Sequence, residues 1–262
     1  HAGVKCYVYE DAWGKQPDPE IAYNPLRGNL IGGIDPGRQD EFAVVWLQHD
    51  PIDNWWNVLD AYQNKGKVAD FYASIINGEM ESGEWQYDAE ALRLIDWTQT
   101  LGPVKWWGDT FGDNKDAATN DTVYTRLRDK KIYVNRRRNT DIKEETPKMK
   151  AAKTYRGRHE TVRDYMPRLR FAGTPGALLM LKALQNHKYP KDEATRQNEP
   201  EKPEHDWTAH LCAALEYLLS NERLRVKREG ATRNPPQLAT LGGQRVTMLP
   251  QPRGLMRERP VA

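Results

Sequence analysis

Ile31-Gly32-Gly33-Ile34-Asp35-Pro36-Gly37-Arg38, followed closely by Glu41-Phe42-Ala43-Val44-Val45-Trp46-Leu47, is the stretch on which the fold is read. An apolar run ends in Asp35, Pro-Gly turns the chain, and a β-branched and aromatic run follows. That pattern predicts a hairpin with a carboxylate at the mouth of its first strand. A single Asp before Pro-Gly also serves simply to start a turn. The chemical reading gains weight from Val104-Lys105-Trp106-Trp107-Gly108-Asp109, a second predicted strand that delivers an acid at its C-terminal end.

Sheets with helical crossovers collect their chemistry outside the carboxyl ends of the strands. Two carboxylates brought together there repel unless cations sit between them, so Asp35 and Asp109 are candidate ligands of a divalent metal.

Working outward, the order of elements is α/β. Residues 31–35, 42–48 and 55–62 read as three successive strands, joined by Asp35-Pro36-Gly37 and by the polar turn His49 to Asn54. Apolar residues at helical spacing follow in Lys67–Asn77 and Asp88–Leu101, then the strand ending at Asp109. Asp121 or Thr122 caps a helix through Leu127, and Lys131-Ile132-Tyr133-Val134 reads as a fifth strand. Thr174 and Pro175 open a helix through Leu184. The last helix is expected from His205-Asp206-Trp207, with Leu211, Ala214, Leu215, Leu218 and Leu219 on its apolar side. A mixed sheet flanked by helices is the expected architecture. Residues 1–30, with Pro17, Pro19, Pro25 and Gly28, read as a linker or the remnant of a preceding domain, 31–221 as the folded domain, and 222–262 as a basic, Pro-rich flexible tail. A start at His1 without Met reads as a processed or truncated chain.

Composition narrows the class. With 262 residues, 38% apolar and 29% charged, the chain can bury one large core under a wet surface. It has no run of eighteen apolar residues to span a membrane. Cys6 and Cys212 form neither a disulfide framework nor a zinc pattern, which favours a reducing compartment. No phosphate-loop signature occurs, so the chain should not hydrolyse ATP by itself, and no dinucleotide fingerprint or G-x-S-x-G elbow is present. Net charge is +2, yet residues 126–170 hold sixteen Lys or Arg against six acids. That segment alternates with tyrosines and apolar residues, and a basic face beside an acidic metal site suits phosphodiester chemistry. Arg136, Arg137, Arg138, Lys148, Lys150 and Lys153 are its candidate phosphate contacts. After Tyr217 there is no aromatic residue, but there are nine basic residues and five prolines.

On the last helix Asp206, His210 and Ala213 lie four and three apart and so share a face. If that face meets the strand ends, Asp206 or His210 supplies a third ligand; alternatively Asp206 is an N-cap and His210 a surface residue. His205 and His210 are five apart, so the helical zinc-protease spacing is absent.

Three segments in this order resemble the C-terminal nuclease domain of the large terminase subunit of tailed bacteriophages. They are Gly33-Ile34-Asp35-Pro36-Gly37 with its following strand, Gly108-Asp109-Thr110-Phe111-Gly112, and His205-Asp206-Trp207-Thr208-Ala209-His210-Leu211-Cys212-Ala213-Ala214-Leu215-Glu216-Tyr217. The resemblance covers about residues 30 to 220. It implies a ribonuclease H-like fold, two Mg2+ or Mn2+ ions, and cleavage of double-stranded viral DNA during genome packaging in the host cytoplasm. Portal and small terminase subunit are the implied partners, and an ATPase motor domain, missing here, would precede this one. In the resemblance His210, Ala214 and Tyr217 match a final helix whose metal-binding Asp would fall at Ala213. Either the third acid has moved to Asp206, or the site is weakened. The implied catalysts are Asp35, bridging two ions about 4 Å apart, with Asp109 and Asp206, the last beside His210. Two other readings fit the same residues: another ribonuclease H-like nuclease such as a junction resolvase, or a non-catalytic module that docks DNA or the portal.

Charge reversal within Arg136-Arg137-Arg138 is expected to weaken duplex DNA binding and to lower the log–log salt slope by roughly 0.9 for each phosphate released. An unchanged slope in a salt titration would mean that this run is only a solvated face.

Overall fold

A computed structural model of the chain describes residues 7–37, 41–80, 85–109, 121–136, 154–190, 202–232, 240–241 and 244–245. Two compact units divide it at Leu224 and Arg225. The first holds a seven-stranded mixed sheet in the order β1-β7-β4-β3-β2-β5-β6. Its strands are β1 (Pro17–Asp18), β2 (Asn29–Pro36), β3 (Glu41–Asp50), β4 (Trp55–Lys65), β5 (Val104–Gly108), β6 (Val134–Asn135) and β7 (Leu169–Ala172). The described helices are α1 (Ala69–Asn77), α2 (Ala89–Thr98), α3 (Val123–Asp129), α4 (Tyr155–Tyr165), α5 (Pro175–Asn186) and α6 (Ala209–Thr232), which runs on past the unit boundary. In the second unit the described residues beyond α6 form a two-stranded ladder, β8 (Thr240–Leu241) with β9 (Gln244–Arg245). No helix among the described residues is long and apolar enough to cross a membrane.

The expected hairpin is present. β2 pairs antiparallel with β3 and β3 with β4, with a register shift between Trp46 and Leu47. On its other side β2 runs parallel to β5, with Ile34 opposite Gly108. The next residues along are Asp35 and Asp109, so the register itself sets the two acids side by side at the strand ends.

Helices cover both faces of the sheet, which is why the central strands read as continuous apolar runs. On one face Ile34, Val44, Trp46 and Trp106 pack with Phe71 and Ile75 of α1, Leu94 of α2 and Leu127 of α3. On the other Ile31, Val45, Leu47 and Leu59 pack with Met180 and Leu184 of α5 and with Leu211, Leu215 and Leu218 of α6. The caps are local chemistry that the sequence announces: Asp88, Thr122 and Thr174 each accept a hydrogen bond from the backbone N–H three residues on.

Three expectations are corrected. The segment read as a linker is built into the first unit from residue 7 on: Val8, Tyr9 and Ala12 are buried in the core, and β1 pairs in parallel with β7. Its prolines limit helix but leave room for a two-residue strand and a single 3-10 turn (Glu10–Gly14). The fifth strand is shorter and later than expected, because Lys131 turns the chain with φ of 65°. The last helix begins at Ala209 rather than His205, since Asp206 and Thr208 form a turn before it. Most of the tail beyond Thr232 lies outside the described residues.

Gly32 and Gly33 are needed on opposite faces of β2. A Cβ at Gly32 would overlap the indole of Trp106, and one at Gly33 would overlap the Ala214 carbonyl of α6. Gly33→Ala must push a helix backbone away, so it is expected to cost about 1–3 kcal/mol in urea denaturation. Gly14, whose Cβ would meet nothing within 4 Å, is the control; Gly14→Ala should stay within about 0.5 kcal/mol of the parent.

Candidate active site

The close approach at Gly33 determines what faces the strand ends. Residues 33 and 35 of a strand point to the same side, so Asp35 is directed at α6 one turn before Ala214. There His210 Nδ1 lies 2.8 Å from Asp35 Oδ2, and its Nε2 lies 3.8 Å from Glu41 Oε2 at the start of β3. Further along α6, Tyr217 donates its hydroxyl proton to Asp109 Oδ2 at 3.0 Å. A cavity of about 320 Å³ opens between the strand ends and α6, lined among others by Asp35, Asp109, His210, Ala213, Glu216 and Tyr217.

The cavity wall is charged. Burial pushes the Asp35 carboxyl above the usual carboxylate range; His210 pulls it back, while Asp109 and Glu216 push it further up. Burial also raises the Tyr217 phenol, so it stays protonated and remains a donor to Asp109. Arg158 of α4 donates from Nε to Glu216 Oε2 at 3.1 Å, with its guanidinium over the rings of Tyr155 at 4.7 Å and Tyr217 at 5.0 Å. The positive charge in the wall is thus fixed by one carboxylate and two aromatic faces.

Asp35, Asp109 and His210 are brought together as the sequence suggested. Asp206 is not: it does not line the cavity, and its Oδ1 accepts from the backbone N–H and the hydroxyl of Thr208. Its position before the helix, rather than within it, breaks the four-residue spacing on which a shared face was argued. Ala213 does line the cavity, which places the side chain of that position toward the two acids. Of the basic candidates, Arg136 reaches the Val134 carbonyl and lies over the Tyr124 ring at 5.4 Å. Arg137, Arg138, Lys148, Lys150 and Lys153 lie outside the described residues.

Glu216, Tyr217 and Arg158 escaped the sequence reading as site residues. The first two carry a signal, since His210, Ala213 and Tyr217 follow the i, i+3, i+7 spacing of one helical stripe, with Glu216 beside it. Arg158 belongs to the basic 126–170 segment, but nothing local shows that it reaches this site, because it comes from a helix remote in sequence.

No protein-family model and no curated protein matches the sequence. Solved structures do match in fold. The large terminase of a thermophilic bacteriophage superposes with a TM-score of 0.54 at 13% identity, over 83% of this chain and 45% of that one. The chain therefore spans less than half of that terminase. The P22 large terminase nuclease domain superposes with a TM-score of 0.53 at 13% identity, over 83% of this chain and 92% of that domain. The fold is accordingly shared with these large-terminase structures: a seven-stranded mixed sheet flanked by helices, the architecture that the sequence resemblance implied.

Proposed function

We propose that this chain is a metal-dependent endonuclease that hydrolyses double-stranded DNA, the nuclease module of a phage packaging terminase. The observation that carries the reading is the pair Asp35 and Asp109, set side by side at the ends of parallel strands β2 and β5 and facing a cavity. Neighbouring acids at such a place are unfavourable for a structural role alone, and the charge of Asp109 adds to burial in raising Asp35.

The donor set fits a hard divalent cation. Asp35 and Asp109 offer carboxylate oxygens, the ligands that magnesium and manganese take. When bound, the metal would supply Lewis acidity toward a phosphoryl oxygen and a water of lowered pKa. The remaining residues have roles of their own. His210 holds Asp35 Oδ2, fixing the carboxylate rotamer, and Tyr217 does the same for Asp109. Arg158 presents a fixed cation to a polyanionic substrate at the cavity wall, a contact that positions the backbone without reading sequence.

Two ions require more anionic ligands than this pair provides. Position 213, which lines the same cavity, is alanine. We infer one firm metal position, with the second weak and dependent on a cation more tolerant of irregular geometry than magnesium. Portal, small terminase subunit and an ATPase motor are the proposed partners in the host cytoplasm.

Supercoiled plasmid incubated with the chain and manganese should be nicked and linearised with little sequence preference, and Asp35→Ala should abolish this, a loss of at least about 100-fold. Undiminished cleavage by the variant would remove the assignment, and a strong preference for four-way junctions over linear duplex would favour a resolvase. Ala213→Asp is expected to raise magnesium-dependent cleavage by about tenfold or more, the scale of a restored metal-site interaction. The opposite pattern, no gain from Ala213→Asp and abolition by Asp206→Ala, would show that the third ligand comes from the helix start after all.

A further inference from the structure

Behind the acid pair, the wall of the same cavity contains a second constellation with a different chemistry. His159 of α4, His187 at the end of α5 and Glu216 of α6 are each at most 2% exposed. One ligand atom from each lies within 4.8 Å of the others, and among the described residues this is the cluster of histidine, cysteine and acid side chains that meets such a spacing. In a tetrahedral zinc site, ligand atoms roughly 2.1 Å from the ion stand about 3.4 Å apart. His159 Nε2 already lies 3.5 Å from Glu216 Oε1.

The surroundings aim the imidazoles inward. Thr208 donates its hydroxyl proton to Asp206 Oδ1 at 2.6 Å. With that proton committed, Thr208 Oγ1 can only accept from His187 Nδ1, 2.7 Å away. His187 is thereby held as the Nδ1–H tautomer, with its lone pair on Nε2. His159 Nδ1 lies 3.2 Å from the Tyr189 hydroxyl, which can accept from it in the same sense, while its buried Nε2 has no hydrogen-bond partner. Both imidazoles titrate far below their usual range, to about 3 and about 4, chiefly because they are buried. Glu216 is fixed by Tyr9 on Oε1 at 2.6 Å and by Arg158 on Oε2, and Oε1 keeps a second lone pair. Ligands oriented by surrounding hydroxyl and guanidinium groups are the arrangement that metal sites use to set tautomer and direction.

We propose that His159 Nε2, His187 Nε2 and Glu216 Oε1 form a site for a borderline-soft divalent ion, zinc or cobalt. The fourth position is open to the cavity, which His187 and Glu216 also line. The two-nitrogen, one-oxygen donor set favours such an ion over magnesium, whereas Asp35 and Asp109 favour the hard ion. Asp206, which the sequence offered as a nuclease ligand, acts here at one remove, orienting His187 through Thr208. Arg158 opposes a further cation through space, but by holding Oε2 it leaves Oε1 to face the imidazoles.

The test is a titration of the full chain with Co2+ in excess Mg2+, read by visible absorption, followed by displacement with Zn2+. One tightly bound Co2+ per chain with a tetrahedral-type band is expected. His159→Asn and His187→Asn, which keep an amide near the Nδ1 position and delete Nε2, should each weaken binding at least about tenfold, and Asp35→Asn should retain the band. Zinc should also shift two imidazole Nε2 resonances in the nitrogen NMR spectrum of the unsubstituted chain, a readout independent of how the variants fold. Absence of the band and of those shifts would overturn the site, as would a band that survives both histidine substitutions or vanishes with Asp35→Asn. Because none of these readouts is DNA cleavage, the inference and the nuclease reading fail separately.

Discussion

The contact on which this architecture depends is the seating of α6 directly on β2, where the absent side chain of Gly33 admits the Ala214 carbonyl. Helix and strand backbones meet there without an intervening side-chain layer. The orienting partners of both acids lie within about two turns of that point: His210 one turn before it against Asp35, and Tyr217 just after it against Asp109. Were α6 held off by an ordinary side chain, those hydrogen bonds would lengthen together. The acids would remain at the strand ends because the β2–β5 register alone puts them there, but their orienting partners would not reach.

That seating also brings acids close together. Asp35, Asp109 and Glu216 line one cavity, and burial together with the charges of the other two pushes Asp35 toward its neutral form. The chain meets this differently at the two places. Glu216 has a guanidinium on one oxygen and a phenol on the other, so its charge is balanced by a full positive charge from within the protein. Asp35 is held by an imidazole, and Asp109 accepts from a phenol that keeps its proton and so supplies a hydrogen bond without charge. That difference separates a carboxylate opposed by a guanidinium from a pair oriented by an imidazole and a phenol.

The central part of the fold was legible in the sequence because its determinants are local. β2, β3 and β4 announce themselves by apolar runs and turn residues, and two of the helix caps by Thr122 and Thr174. Asp35 and Asp109 were legible because strand ends are where such sheets place chemistry. The edge strand β1 was not, since Pro17 and Asp18 gain their meaning only from pairing with Phe171 and Ala172 far along the chain. The histidine and glutamate cluster is equally non-local: His159, His187 and Glu216 come from three helices or their ends, and no spacing rule joins them. Asp206 was misplaced by a difference of four residues at the start of α6, enough to move it from a helix face into a turn.

The basic segment shows how far charge counting can go. Within 126–170 Arg126 pairs with Asp70, Arg156 with Glu160, Arg158 with Glu216, and Arg170 with Asp18, while Arg163 donates to the Val8 carbonyl. Most of these side chains tie α3, α4 and β7 to their neighbours, and a cation already engaged in that way releases fewer counterions when a phosphate arrives. The excess of sixteen bases over six acids therefore overstates the electrostatic footprint offered to a polyanion. On the proposed reading, affinity for DNA should rest on a subset, and the salt slope, which counts phosphate contacts rather than residues, is the quantity that measures how large that subset is.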